Sequence, residues 1–137
     1  MVKACTESSM ADLQQFVILR EVRRRIIGEE AMALEMGAET AEGLTEYAGL
    51  AALNQFSRAK SMEEIERHLK ALRNPKNLYD IRFAARSSGC ILCFTLKSFN
   101  IDFFHPLSEG RTIYEFVPRL PNEIDASFNE YCKENGL

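Results

Sequence analysis

Apolar side chains recur every three or four positions near the start of this chain, the spacing that gathers them on one face of a helix. Those residues are Leu13, Phe16, Leu19, Val22 and Ile26. Ser8 or Ser9 stands where a helix N-cap belongs, and Gly37 stands where a helix commonly stops. The pattern therefore predicts one long first helix over residues 8–36.

Two further helices are predicted in the first half of the chain. The second covers residues 40–57, where apolar residues again follow helical spacing. The third begins at Ser61, because Ser61 and Glu64 form a capping box, in which each side chain accepts a backbone N–H of the other residue. It is expected to end near Arg73, just before the turn signal Asn74-Pro75.

The second half of the chain is less clearly patterned. The centre of residues 79–99 fits a buried strand or a buried helix, but its length and small residues favour a helix. Residues 112–117 alternate weakly and fit either a strand or a short helical turn. Asn122 is expected to cap a last helix that ends near Asn135, before Gly136.

These elements predict an all-α fold. We expect about five helices packed as an irregular bundle, with a short irregular or strand-like segment near residues 111–117. The length fits one helical domain over residues 1–137.

The composition is that of an ordinary globular protein. The chain has 137 residues, 46% of them hydrophobic and 27% charged, and a formal net charge of -3. A net acidic chain whose arginines are not interleaved with aromatic residues does not favour nucleic acid as a partner. No apolar run suits a membrane helix or a signal peptide, and the four cysteines are too few for a disulfide scaffold. We therefore expect a cytoplasmic protein that binds neither membranes nor nucleic acid.

A row of carboxylates is the most distinctive chemistry in the sequence. Its members are Glu35, Glu39, Glu42 and Glu46. Residues three or four apart share one helix face, so these carboxylates need a metal ion, arginines or water beside them. Arg20, Arg23 and Arg24 share a face of the first predicted helix. A solvated row, or a row that pairs with these arginines, is the simplest expectation, and Glu39, Glu46, Arg20 and Arg24 are candidates for ion pairs or for groups that support a metal ligand.

The histidines and the paired cysteines predict no separate site. His68 lies among charged residues, which is typical of a solvated helix face, and His105 precedes Pro106 in a predicted loop. Neither has a second histidine four residues away, so a zinc site within the chain is not expected. Cys90 and Cys93 have the C-x-x-C spacing but lie among Ile, Leu and Phe. We interpret them as buried, unreactive thiols.

Residues 41–47, Ala-Glu-Gly-Leu-Thr-Glu-Tyr, resemble the Asn-Glu-Gly-x-Ala-Glu-Tyr helix of gluzincin metallopeptidases, in which x is Phe, Leu or Met. The closest likeness is to uncharacterised bacterial gluzincin-like proteins, and it extends to the Arg-rich segment 20–28 and to residues 82–93. The resemblance implies that Glu42 is a third zinc ligand. The two histidine ligands and the general base of that family come from an upstream H-E-x-x-H motif.

The chain departs from the family pattern at that motif, because it contains no H-E-x-x-H and no histidine before His68. The resemblance therefore implies the C-terminal helical half of such a protein, with no catalytic residue and no bound zinc when it is alone. If another segment supplied the motif, the assembly would be a zinc-dependent peptidase.

Two other functions stay open. An isolated half-fold leaves apolar surface uncovered, which favours an interaction or dimerisation module whose partner is a second copy or a complementary segment. A small-molecule site could instead lie between helices beside Glu42, lined by Phe83, Phe94 and Tyr114. Further candidate pocket residues are Tyr47 and Arg86.

Overall fold

The computed structural model describes residues 5–7, 9–74, 76, 80–116 and 121–135. Four long helices come first: α1 (Met10–Ile27), α2 (Glu29–Phe56), α3 (Arg58–Arg73) and α4 (Ile81–Ser98). Two short turns follow, α5 (Phe104–Leu107) and a 3-10 helix (Ile113–Phe116), and α6 (Pro121–Asn135) ends the described chain. The predicted all-α fold is confirmed, and the ambiguous segment near residues 111–117 contains the 3-10 helix rather than a strand.

The first helix ends earlier than predicted. Ser9 caps α1 by accepting the Asp12 N–H at 3.2 Å, but the helix stops at Ile27 because Gly28 has a φ of 89°. Glycine adopts this backbone conformation at little cost, and the chain turns there into α2. The predicted stop at Gly37 is wrong, since Gly37 lies within α2.

The turn between α2 and α3 also differs from the prediction. Ser57 closes α2 through its N–H and caps α3 by accepting the Lys60 N–H at 3.4 Å. Ser61, the predicted start, lies one turn inside α3, where its hydroxyl donates to the Leu50 carbonyl at 3.0 Å. The predicted end at Arg73 is confirmed.

The last two long helices begin and end close to the residues predicted from the sequence. The predicted helix over residues 79–99 is present as α4, although Tyr79 lies outside the described residues. The last helix begins at Pro121, so the expected cap at Asn122 is wrong. His105, expected in a loop, lies in the short helix α5. Gly136 lies outside the described residues.

The closest helix packing in the described chain lies where α2 crosses α4, at Gly43 and Gly89. A Cβ on Gly43 would lie 2.7 Å from the Cys90 backbone nitrogen, and a Cβ on Gly89 would lie 2.9 Å from the Gly43 Cα. Neither position has room for a larger side chain. The hydrophobic core surrounds this crossing, with Leu13, Met32, Tyr47, Leu92, Leu96, Phe103 and Tyr114 among its buried members. The crossing fixes the inner face of α2 against α4.

Cys90 and Cys93 lie fully buried on α4 with free thiols. The predicted burial of both thiols is confirmed, and burial raises the pKa of both, to about 12 for Cys93, which disfavours the reactive thiolate.

No helix among the described residues combines the length and apolar character that crossing a bilayer requires.

Candidate functional site

Three carboxylates of the predicted row lie around the glycine crossing, beside residues 86–88 of α4. The structure places each of the three in a different environment. Glu39 contacts Arg20 and Ser88, Glu42 contacts Arg86, and Glu46 contacts His68, which in turn contacts Ser87.

Glu39 forms the buried ion pair of the site. Arg20 donates to both of its carboxylate oxygens, one of them at 2.8 Å, and the Ser88 hydroxyl donates to the same carboxylate. The Arg20 guanidinium also lies over the rings of Phe16 and Tyr114, each 5.4 Å from the centroid. Burial raises the pKa of Glu39, and the Arg20 charge and the Ser88 hydrogen bond oppose that effect without cancelling it. The pair therefore ties α1, α2 and α4 together at an electrostatic cost.

The other arginines of α1 also contact carboxylates. Arg23 pairs with Glu35, and Arg24 pairs with Glu21 at 3.2 Å and with Glu29 at 3.0 Å. The structure thus brings the arginine face of α1 to carboxylates of α2. It does not bring Arg24 to Glu46, whose hydrogen-bond partner, His68, is on α3.

His68 lies in a position that its sequence context did not indicate. Its predicted position on a solvated face is wrong, because its side chain is only 5% exposed. Nδ1 lies 3.0 Å from the Ser87 hydroxyl and Nε2 lies 3.0 Å from a Glu46 oxygen. His68 shares a helix face with Ser61, seven positions earlier, which is also buried although its residue type did not indicate burial.

The Ser87, His68 and Glu46 side chains lie in the order of a hydrolase triad, but the geometry does not suit nucleophilic catalysis. Ser87 is fully buried inside α4, so its hydroxyl has no approach for a substrate. Because a carboxylate only accepts, the His68 Nε2–H donates to Glu46. The network is a satisfied set of hydrogen bonds that joins α2, α3 and α4.

Glu42, the predicted zinc ligand, faces outward. Its side chain is 47% exposed and lies 3.7 Å from the Arg86 guanidinium. Within the described residues no group of three or more His, Cys, Asp or Glu side chains is arranged to hold a metal ion. The residues present around Glu42 therefore do not fit a zinc site by themselves.

The predicted pocket residues lie in different surroundings within the described part of the chain. Tyr47 lies in an aromatic cluster, with its ring centroid 4.7 Å from that of Phe94 and 5.7 Å from that of Phe103. Tyr114 is buried, and its hydroxyl donates to Glu21 at 2.8 Å, whereas Phe83 is 41% exposed. A cleft of about 150 Å³ lies elsewhere, at the end of α4. Its lining residues are Lys97, Asn100, Ile101, Asp102, Phe103 and Phe104.

The opposite side of α2 carries an exposed surface that the sequence pattern does not mark. We call it the outer face of α2, and its exposed members are Leu34, Gly37, Ala41, Thr45, Ala48, Gly49, Ala52 and Phe56. None of them is charged. Leu34 is 70% exposed and Phe56 is 89% exposed. The Thr45 hydroxyl donates to the Ala41 carbonyl at 2.7 Å, so its donor is satisfied within the helix.

Comparison with known proteins gives no match to a family, to a curated protein or to a solved structure. The gluzincin-like origin therefore stays a prediction.

Proposed function

We propose that this chain is a helical protein-interaction module that binds its partner through the outer face of α2. The observation that carries the proposal is the exposure of Leu34 and Phe56 at the two ends of an uncharged helix face. Contiguous exposed apolar surface on a soluble domain commonly marks an interaction site.

Covering this face gives a favourable free energy. Burying a Leu or Phe side chain completely contributes about 1.5–3 kcal/mol. The small residues between Leu34 and Phe56 let a partner approach the helix backbone closely, which extends the contact along α2. The face is long enough for one partner helix to pack along it, since a helix rises about 1.5 Å per residue.

The inner face of α2 supports the proposal because it holds the helix rigidly. Gly43 packs on α4, Glu39 binds Arg20 and Ser88, and Glu46 binds His68. A helix fixed in this way presents its outer face already in the binding conformation, which lowers the entropy lost on association.

Site-specific photo-crosslinking in intact cells tests the proposal. A photoreactive amino acid replaces Ala48 at the centre of the outer face, or Ala126, an exposed alanine of α6 that serves as the matched control. We expect a discrete protein adduct from position 48 and none from position 126. Equal labelling from both positions, or no adduct from position 48, would contradict the proposal.

The gluzincin-like role is a second proposal, favoured by the exposure of the Glu42 carboxylate. It needs a complementary segment that carries H-E-x-x-H. Metal-free protein is then expected to take up zinc in a one-to-one ratio only when such a segment is added, and Glu42→Ala is expected to abolish that uptake. Tight zinc uptake by the chain alone, or uptake that Glu42→Ala leaves unchanged, would contradict this role.

A further inference from the structure

We infer that the partner on the outer face of α2 is a second copy of this chain, bound with the two α2 helices antiparallel. The inference rests on the proposed function. The two-fold axis passes between Ala41 and Thr45, so Ala41 of one copy faces Thr45 of the other. Leu34 then faces Ala52, and Gly37 faces Gly49.

The outer face is self-complementary in this arrangement, as a two-fold contact requires. The large Leu34 of each copy lies against the small Ala52 of the other, and this contact occurs twice. Leu34 is 70% exposed in the single chain, so it has apolar surface to lose. Phe56 covers the end of the contact in both copies.

Gly37 and Gly49 support a close approach of this kind. A Cβ built on either residue meets no atom within 4 Å, in contrast to Gly43, whose Cβ would overlap α4. Glycine inside an exposed helix costs about 1 kcal/mol relative to alanine. Steric room within the single chain gives no reason for glycine at positions 37 and 49. A contact between the two backbones, with Gly37 of one copy against Gly49 of the other, would explain glycine at both positions.

The charges at the ends of α2 select the antiparallel arrangement. Glu30 is exposed at the start of α2, and Arg58 and Lys60 are exposed just after its end. None of the three has an ion-pair partner within the part of the chain that the structure describes. In this register Glu30 of one copy lies opposite Phe56 of the other, close to Arg58 and Lys60 that follow it in the chain, whereas parallel helices would bring Glu30 towards Glu30. Antiparallel helix dipoles are favourable as well.

Sedimentation equilibrium of the purified full chain tests the inference. We expect a concentration-dependent dimer for the wild type and for the control variant Ala126→Arg. Ala48→Arg is expected to weaken the dimer at least about tenfold, because the contact would bury an unpaired charge. Ala48 and Ala126 are both exposed in helices, so neither substitution disturbs the packing of the single chain.

Charge reversal tests the antiparallel orientation of the two helices. Glu30→Lys alone, and Arg58→Glu with Lys60→Glu, are each expected to weaken the dimer several-fold at low salt, roughly as expected for exposed pairs. Mixing the two variants is expected to restore wild-type affinity, because each reversed end then meets its complement on the other chain. Weakening without rescue in the mixture would overturn the antiparallel orientation.

A wild-type chain that stays monomeric at every accessible concentration would overturn the inference. If position 48 still gives a crosslink to a different protein in cells, the proposed function stands and only the identity of the partner is wrong. If position 48 gives no adduct at all, both are wrong.

Discussion

The ion pair between Glu39 and Arg20 is buried and, with the Ser88 hydroxyl, joins three helices, α1, α2 and α4. The carboxylate loses its hydration, and its pKa is raised for that reason despite the bonded guanidinium and the Ser88 hydroxyl. Desolvation of such a pair commonly exceeds its attraction, so removing one partner is far worse than removing both.

A double-mutant cycle tests this interpretation of the Arg20–Glu39 ion pair. Arg20→Met and Glu39→Leu are each expected to lower the free energy of unfolding by about 3–5 kcal/mol, because each leaves the other charge buried and unpaired. The double variant is expected to lose much less free energy of unfolding than the two single variants together, as measured by urea unfolding. Additive losses would show that the two side chains do not act as a pair.

The pH dependence of stability gives a second test. Because the pKa of Glu39 is raised above its ordinary value of 4.5, the folded chain holds a proton there more tightly than the unfolded chain does. The contribution of Glu39 is therefore fully present below pH 4.5 and falls as the pH rises through the raised pKa. The free energy of unfolding of the wild type, relative to Glu39→Gln, is expected to decrease over that window. An increase over the same window would contradict the raised pKa.

At the same scale, the sequence predicts the acidic and basic partners but not the buried histidine. Arg20 and Glu39 are found from helical spacing alone. His68 is missed because its neighbours along the chain, Glu66 and Arg67, are exposed. Its own partners, Glu46 and Ser87, come from other helices, and only the tertiary packing brings them together.

At the scale of the helices, periodicity predicts where helices lie but not where each one stops. Gly28 and Gly37 are the same residue type in similar contexts, yet only Gly28 has a positive φ. The chain must reverse at Gly28 for the apolar residues of α1 and α2 to share one core, and no local signal contains that requirement. Ser57 and Ser61 differ in the same way, since both can cap a helix and only the packing of α3 on α2 decides between them.

Gly43 and Gly49 allow a matched comparison between a glycine packed against α4 and a glycine on the exposed face of α2. Gly43→Ala is expected to lower the free energy of unfolding by about 3 kcal/mol, because the methyl group would overlap the backbone of α4. Gly49→Ala is expected to raise it by about 1 kcal/mol, because its Cβ meets nothing in the single chain. Both are measured in the Ala48→Arg background, so that association does not contribute. Equal effects at the two positions would contradict the close crossing of α2 and α4.

At the scale of the whole molecule, α2 is the central element of the fold. Its inner face contacts α1, α3 and α4, and its outer face is open along the described helix. The all-α class follows from the sequence because long amphipathic segments leave few other choices. The outer face does not, because Leu34 and the small residues around it satisfy a core pattern equally well. Which face of α2 is covered depends on the positions of the other helices.

Fluorine NMR of the full chain, with para-fluorophenylalanine at Phe56 alone or at Phe83 alone, tests the central claim most directly. Phe56 lies at the end of the outer face and is 89% exposed, whereas Phe83 lies on α4 and is 41% exposed. If the outer face binds a partner, the Phe56 resonance is expected to shift with protein concentration and to lose its sensitivity to solvent isotope, while the Phe83 resonance stays unchanged. The Ala48→Arg variant is expected to keep Phe56 solvent-exposed throughout. A Phe56 resonance that remains fully solvent-exposed, both alone and in cell extract, would contradict an interaction surface on α2.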